Sequence, residues 1–169
     1  GDTFMKKILF FIVAAACFIS FTVPARAAEP IKIGALLAVT GPAAYLGEPE
    51  RNTVKMVEEQ INAAGGINGR PFEIIVEDTE GDEAKTVMKA KKLISQDQVI
   101  AIVGPTRSGT TMAAIPIIEK AELPMVSCAA AEAIVKPVKK WVFKTPQSDA
   151  DAVRAIYDKI KAMGLVKVA

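Results

Sequence analysis

The chain has 169 residues, of which 21 are basic and 19 acidic, with two cysteines and no histidine. The missing imidazole removes the commonest general base and the commonest metal ligand. A nearly balanced charge gives no electrostatic reason to expect nucleic-acid or membrane-surface binding.

Residues 1–27 read as an export signal with a short upstream extension, "GDTF". Met5, Lys6 and Lys7 open it, the apolar run "ILFFIVAAACFISFTV" forms its core, and Ala25 and Ala27 supply the A-x-A spacing of signal peptidase. At 16 residues the run is short for a membrane span, which needs about 20. Cys17 is a poor lipid-attachment site, because Ala14 lies three places before it and the apolar run continues past it. The expectation is cleavage after Ala27 and a mature chain of 142 residues in the periplasm. Removing Lys6, Lys7, Arg26 and Asp2 takes the 21 basic and 19 acidic side chains to 18 of each. Only Cys128 then survives, so packing rather than a disulfide must hold the core.

Beyond the signal, strand and helix patterns alternate. "IKIGALLAV" from Ile31 reads as a buried strand ended by "TGP". Val54, Val57, Ile61 and Ala64 mark one face of a helix that Gly65 and Gly66 stop. "FEIIVED" is a second strand. Asp82 is positioned to cap a helix with Val87, Ala90, Leu93 and Ile94 inward. "VIAIVG" reads as a third strand, and "SGTTMAAIPIIEKAE" as a helix that Pro116 should kink or shorten. "LPMVS" is a fourth strand, followed by a less regular stretch around "WVFKT". Ser148 and Asp151 resemble a capping box before a helix with Val153, Ile156, Ile160 and Met163 on one face. Gly164 ends that helix, and "LVKVA" reads as a further strand. This alternation predicts an α/β fold with a doubly wound parallel sheet. Ligands in such sheets bind beyond the carboxyl ends of the strands, which places the turns "TGPAAYLG", "GPTRSGTT" and "SCAAAE" together on one edge.

The turn "GPTRSGTT" has the spacing of a phosphate-binding loop, but Thr110 stands where the lysine should be. It cannot neutralise a nucleotide's phosphates. A singly charged carboxylate asks for less, because backbone N–H groups at a helix start carry about half a positive charge. Ser108, Gly109, Thr110 and Thr111 offer three hydroxyls and approachable backbone for such an anion. From this segment alone, a plain helix cap at Ser108 is the simpler role.

The ordered set "IKIGALLAVTGPAAYLGEPERN", "EEQINAAGGINGRPFEIIVEDTEGD", "AKKLISQDQVIAIVGPTRSG" and "ELPMVSCAAA" resembles the leucine/isoleucine/valine-binding proteins. These are type I periplasmic solute receptors of ABC importers, and the resemblance runs from Ile31 to Ala169. It implies an N-terminal ligand-binding lobe over residues 28–164 and the start of a second lobe at 165–169, the two lobes closing on an amino acid. It implies that Ser108 and nearby backbone, including Gly109 and Thr110, hold the ligand carboxylate. Ala129, Ala130 and Ala131 fall in the segment that contacts carboxylate and amino groups. Leu46, beside Tyr45, falls near an aromatic residue that lines the side-chain pocket. Ala131 lacks the hydroxyl expected there, and Leu46 is smaller than an aromatic residue. Both departures bring other small carboxylates, including aromatic acids, into consideration.

Other features read as structural. "EDTEGD" lacks calcium-loop spacing and is expected to be a solvated turn capped by Asp82. Trp141 and Tyr157 are candidates for stacking on a ligand, with Tyr157 beside a helical face expected to be buried. Cys128 has no histidine to activate it and reads as a buried thiol. The resulting expectation is a monomeric, non-enzymatic receptor without a cofactor. Its partners are a small amino or carboxylic acid and a membrane permease, and not nucleic acid. A sensor domain of a chemoreceptor or kinase is the alternative.

Overall fold

The computed structural model describes residues 28–165 and 167; the export-signal reading of residues 1–27 lies outside them. In chain order the described elements are β1 (Ile31–Leu37), α1 (Ala44–Ala63), β2 (Phe72–Asp78), α2 (Glu83–Ser95), β3 (Ile102–Val103) and α3 (Ser108–Ala121). Then follow β4 (Met125–Ser127), a 3₁₀ turn (Glu132–Ile134), β5 (Val142–Lys144) and α4 (Asp149–Ala162). All described strands are parallel and lie in the order β2-β1-β3-β4-β5. The expected doubly wound sheet is therefore present. The segment "WVFKT", read as irregular, contributes β5; its short length leaves no run of alternation to detect.

β1 and β3 are neighbours in the sheet but not in sequence, so the winding reverses between them. Loops leaving that point diverge and leave a crevice at the carboxyl edge. The larger core lies under α2 and α3, where Leu36, Leu93, Ile102, Ala114, Ile118 and Met125 are all fully buried. Gly34 makes this packing possible, since a Cβ there would stand 2.7 Å from Leu93 Cδ1.

The opposite face carries a smaller cluster of Ala35, Leu37 and Ile74. α1 crosses the end of β1 at Gly47, where a Cβ would lie 2.0 Å from the Ala38 carbonyl oxygen. This approach sets the rotation of α1, so that Gly47, Val54, Glu58 and Ile61 face the sheet. The expected face shifts accordingly: Val57 is 37% exposed and Ala64 is exposed. The Glu58 carboxylate takes the inward place and accepts a hydrogen bond from Ile74 N at 3.0 Å.

α3 runs unbroken on both sides of Pro116, contrary to the expectation that the proline would confine it. Pro116 is exposed, as is Met112, whose carbonyl loses its usual donor, so water can replace the missing bond. At the end of the chain Ser148 does occupy the cap position of α4, but it makes no side-chain capping bond, so the capping box does not form. No residue of α4 is buried. Tyr157 is 59% exposed, which removes its expected packing role. The strand read from "LVKVA" falls largely on residues 166, 168 and 169, outside the described residues. Among the described residues no helix is long and apolar enough to cross a membrane.

Candidate functional site

At the carboxyl edge, the turns after β1, β3 and β4 are joined by hydrogen bonds rather than merely adjacent. Ala38 N donates to Thr106 Oγ1 at 3.0 Å, and Cys128 N to the Pro105 carbonyl at 3.2 Å. Ala131 N donates to Ser108 Oγ at 3.4 Å, which brings together two expected site residues 23 positions apart. The plain-cap role for Ser108 does not survive this geometry. Arg107 occupies the cap position without a side-chain bond, and Ser108 is the first helical residue. Its hydroxyl turns across to the β4 loop instead.

The other two hydroxyls are committed inward. Thr110 is 2% exposed and donates to the Arg107 carbonyl at 2.8 Å. Thr111 donates to the same carbonyl at 2.9 Å and pairs with Ser127 Oγ at 2.8 Å. First-turn threonines readily bond back to the preceding turn, so Ser108 alone keeps a half-exposed hydroxyl at the edge. Gly109 is exposed, and a Cβ there would lie 2.7 Å from Glu83 Oε1. Its lack of a side chain accommodates Glu83 and leaves the α3 backbone open to approach.

In the alanine run, Ala129 is buried and its N–H is held by Ser127 Oγ at 3.1 Å. The Ala130 carbonyl accepts from Lys144 Nζ at 3.0 Å and from Asp149 N at 3.3 Å. Tyr45 and Leu46 stand on the first turn of α1 at the same edge, 75% and 42% exposed. The backbone of the run is thus largely engaged within the protein, whereas the two α1 side chains face solvent.

Sequence reasoning missed Asp78 and Lys144. Asp78 accepts from Val39 N (3.0 Å), Thr40 N (3.2 Å), Thr40 Oγ1 (2.6 Å) and Glu80 N (2.9 Å), and so shapes the β1 turn. Burial pushes its pKa upward, but the bonds from Thr40, Glu80 and Val39 outweigh that and hold it below the ordinary carboxylate value. Its neighbour Glu77 is only 7% exposed and pairs with Lys89 at 2.6 Å and Lys92 at 2.5 Å. "EDTEGD" is therefore not simply a solvated turn, although Asp82 does cap α2 through Lys85 N at 2.7 Å. The signal available for Asp78 and Lys144 was position: each is the last residue of its strand, at the edge where ligands bind.

Trp141 precedes β5 and so sits at the amino edge, packed on the core with Lys140 Nζ 5.1 Å from its ring centre. It is on the wrong side of the sheet to stack on a ligand at these loops. Cys128 is half-buried; burial first, and then the Glu50 charge, push its thiol up to about 11. A thiol held protonated is a packing group rather than a nucleophile. One cavity of about 640 Å³ lies at the amino edge, lined by residues including Lys32 and Arg70. Another of about 650 Å³ lies between α2 and α3. Neither includes a residue of the three turns.

A family model described as periplasmic binding protein matches residues 30–169. The chain belongs to that family. It is 36% identical over 138 residues to the leucine-, isoleucine-, valine-, threonine- and alanine-binding protein of Pseudomonas aeruginosa, covering 81% of this chain and 36% of that relative. It is 34% identical over 89 residues to the chemotactic signal transduction system substrate-binding protein BasB of Halobacterium salinarum, covering 52% of this chain and 22% of the relative. Among solved structures, the branched-chain amino acid transporter substrate binding protein LivJ of Streptococcus pneumoniae, in complex with isoleucine, superposes with a TM-score of 0.69 at 32% identity. That match covers 72% of this chain and 35% of LivJ. The chain therefore spans about a third of the length of the relatives it matches.

Proposed function

We propose that this chain is the first lobe of a solute receptor that presents a small amino or carboxylic acid to the permease of an ABC importer. The observation that carries this reading is the Ser108–Ala131 pairing at the winding reversal, directly beside the amino end of α3. A ligand carboxylate there would meet the Ser108 hydroxyl and first-turn N–H groups, with the Gly109 backbone open to it. The relatives named for leucine, isoleucine, valine, threonine and alanine, and for isoleucine, support an amino acid as the ligand. Ala131 without a hydroxyl and Leu46 in place of an aromatic side chain widen that class toward aromatic acids. Binding is reversible and needs no cofactor and no bond-making step. We further propose that the receptor acts as a monomer in the periplasm, after cleavage that leaves Ala28 at its amino end; N-terminal sequencing of exported protein tests this.

The first lobe is expected over residues 28–164; we propose, on packing grounds, that the boundary lies before α4. α4 has no buried residue, and its apolar face fits a helix whose cover is supplied by a second lobe. When a first lobe is studied without its second, water keeps access to the carboxylate loop and weakens each bond there. This chain alone should bind L-leucine or phenylacetate in the millimolar range or not measurably, and adding a second lobe should restore binding. Saturable micromolar binding in an NMR titration of this chain would overturn the two-lobe account.

Ser108→Ala tests the site itself. Loss of a hydrogen bond to a charged group should cost about 1.5–3 kcal/mol of binding, with little change in the denaturation midpoint. Calorimetry on the two-lobed receptor that shows unchanged affinity would remove Ser108 from the site. The resemblance to a chemotactic substrate-binding protein favours one second reading, in which the same lobe serves a sensor. A transmembrane helix following the second lobe would support that reading over transport.

A further inference from the structure

The Glu50 carboxylate, on α1, lies among three segments that reach the candidate site from different strands. Thr106 Oγ1 donates to Glu50 Oε2 at 2.5 Å, while Thr106 Oγ1 itself accepts from Ala38 N at 3.0 Å. One hydroxyl thus links the α1 carboxylate to the end of β1 and to the turn that enters α3. Thr106 is 5% exposed, and the adjacent Pro105 is fully buried, so the hydroxyl end of this link is shielded from water while Glu50 is half-buried. The third segment follows β4. Cys128 N donates to the Pro105 carbonyl at 3.2 Å, and the Cys128 thiol feels the Glu50 charge. Two residues beyond Thr106 is Ser108, and three beyond Cys128 is Ala131, the pair that forms the candidate site. Carboxylates are seldom half-buried without a partner, and hydrogen bonds to a charged acceptor are shorter and stronger than neutral ones.

We propose that Glu50 is a positioning residue of the ligand site: its carboxylate fastens α1 to the β3–α3 turn through Thr106, that turn holds the β4 loop through the Pro105 carbonyl, and the linked segments set the distance between Ser108 and Ala131. The role in ligand binding rests on the function proposed above; the clamp itself does not. Glu50 touches no ligand group in this account. It acts through Thr106 and through the loop that Cys128 begins. Leu46 and Tyr45, one helical turn earlier on α1, are carried into the same frame, so Glu50 also sets where the side-chain end of the site stands relative to the carboxylate end.

The test uses this chain with Cys17 replaced by Ser, so that Cys128 is its only thiol, and compares Glu50 with Glu50→Gln, Glu50→Ala and Glu50→Asp. Removing the charge should increase the thiolate fraction of Cys128 about three- to tenfold at fixed pH, read from thiolate absorbance. Amide resonances of Ala38, Thr106, Ser108 and Ala131 should shift in Glu50→Gln, while those of β2 and α2 stay in place. Glu50→Asp should return the thiolate fraction toward the parent value. A merely structural role would lower the melting temperature without this confined pattern. Unmoved Cys128 titration together with unmoved Ser108 and Ala131 amides would overturn the clamp. L-leucine titrated into the same proteins separates the two ideas. If leucine shifts the parent amides, Glu50→Gln should weaken that response at least about fivefold, and an unchanged response would overturn the positioning role. If leucine moves nothing in this chain, as the two-lobe reading expects, the same titration of the two-lobed receptor decides the positioning role and the ligand class, and the thiol and amide patterns still decide the clamp.

Discussion

α3 and α4 are each 14 residues long and each carry an apolar face, yet they end in opposite environments. On α3, Ala114 and Ile118 are fully buried and Ile115 is 8% exposed. On α4, Val153, Ile156 and Tyr157 are between 49% and 59% exposed, and the helix has no buried residue. α3 connects two parallel strands and lies against the sheet; α4 leaves the last described strand and meets no comparable surface among the described residues. Helical periodicity therefore declares that a face wants cover without saying what covers it. The lobe is built from elements that find their cover within residues 28–145, and α4 is proposed to find it in a second lobe.

The largest expected contrast is in the two apolar faces. Ile118→Ala should cost about 2–5 kcal/mol, as for a fully buried branched side chain. Ile156→Ala should change the stability of this chain by no more than about 0.5 kcal/mol, as for a surface site. Urea denaturation measures both. A cost at Ile156 matching that at Ile118 would mean that α4 is already covered, and the boundary before it would be wrong. In a chain extended by a second lobe, the Ile156 penalty should rise toward that of Ile118.

A smaller contrast lies at the helix starts. Asp82→Ala removes a capping bond to Lys85 N and should destabilise the lobe by about 1 kcal/mol. Ser148→Ala removes no side-chain capping bond and should leave the midpoint within a few tenths of a kcal/mol. Equal losses in thermal melts would show that the α4 cap forms in solution.

The smallest effect is an acid dependence that belongs to the covered part of the lobe. Burial works to raise the pKa of Asp78, but the bonds from Thr40, Glu80 and Val39 bring it below the ordinary value. The unfolded chain then binds the extra proton, so this stabilisation is full above about pH 4 and is lost as pH falls through the lowered native value. Asp78→Asn should flatten the acid limb of the melting temperature between about pH 5 and pH 3. An acid limb that is unchanged by this substitution would show that Asp78 does not hold the β1 turn.

Much of the fold was legible because its signals are local. Alternating apolar runs, the glycine pair after α1 and Asp82 before α2 each act within a few residues, and each lies where the sequence placed it. β5 was not legible, because three residues show no period; it is a strand because β4 pairs with it along Met125–Val142, Val126–Phe143 and Ser127–Lys144. The site was legible in part. The glycine-bearing turn and the alanine run pointed to the right edge, but nothing in the sequence shows that Thr110 and Thr111 turn inward while Ser108 turns toward Ala131.

Order of elements, the parallel sheet and the edge on which loops meet follow from the spacing of apolar residues and turn residues, since these depend on chain-local geometry. The rotation of α1 depends on Gly47 meeting the Ala38 carbonyl, and the partner of the Ser108 hydroxyl depends on a loop 23 residues away. The Glu50 carboxylate meets Thr106 across 56 residues for the same reason. Such contacts arise only when the sheet has brought distant turns side by side, because which polar groups are shielded from water, and by which neighbours, is a property of the packed lobe.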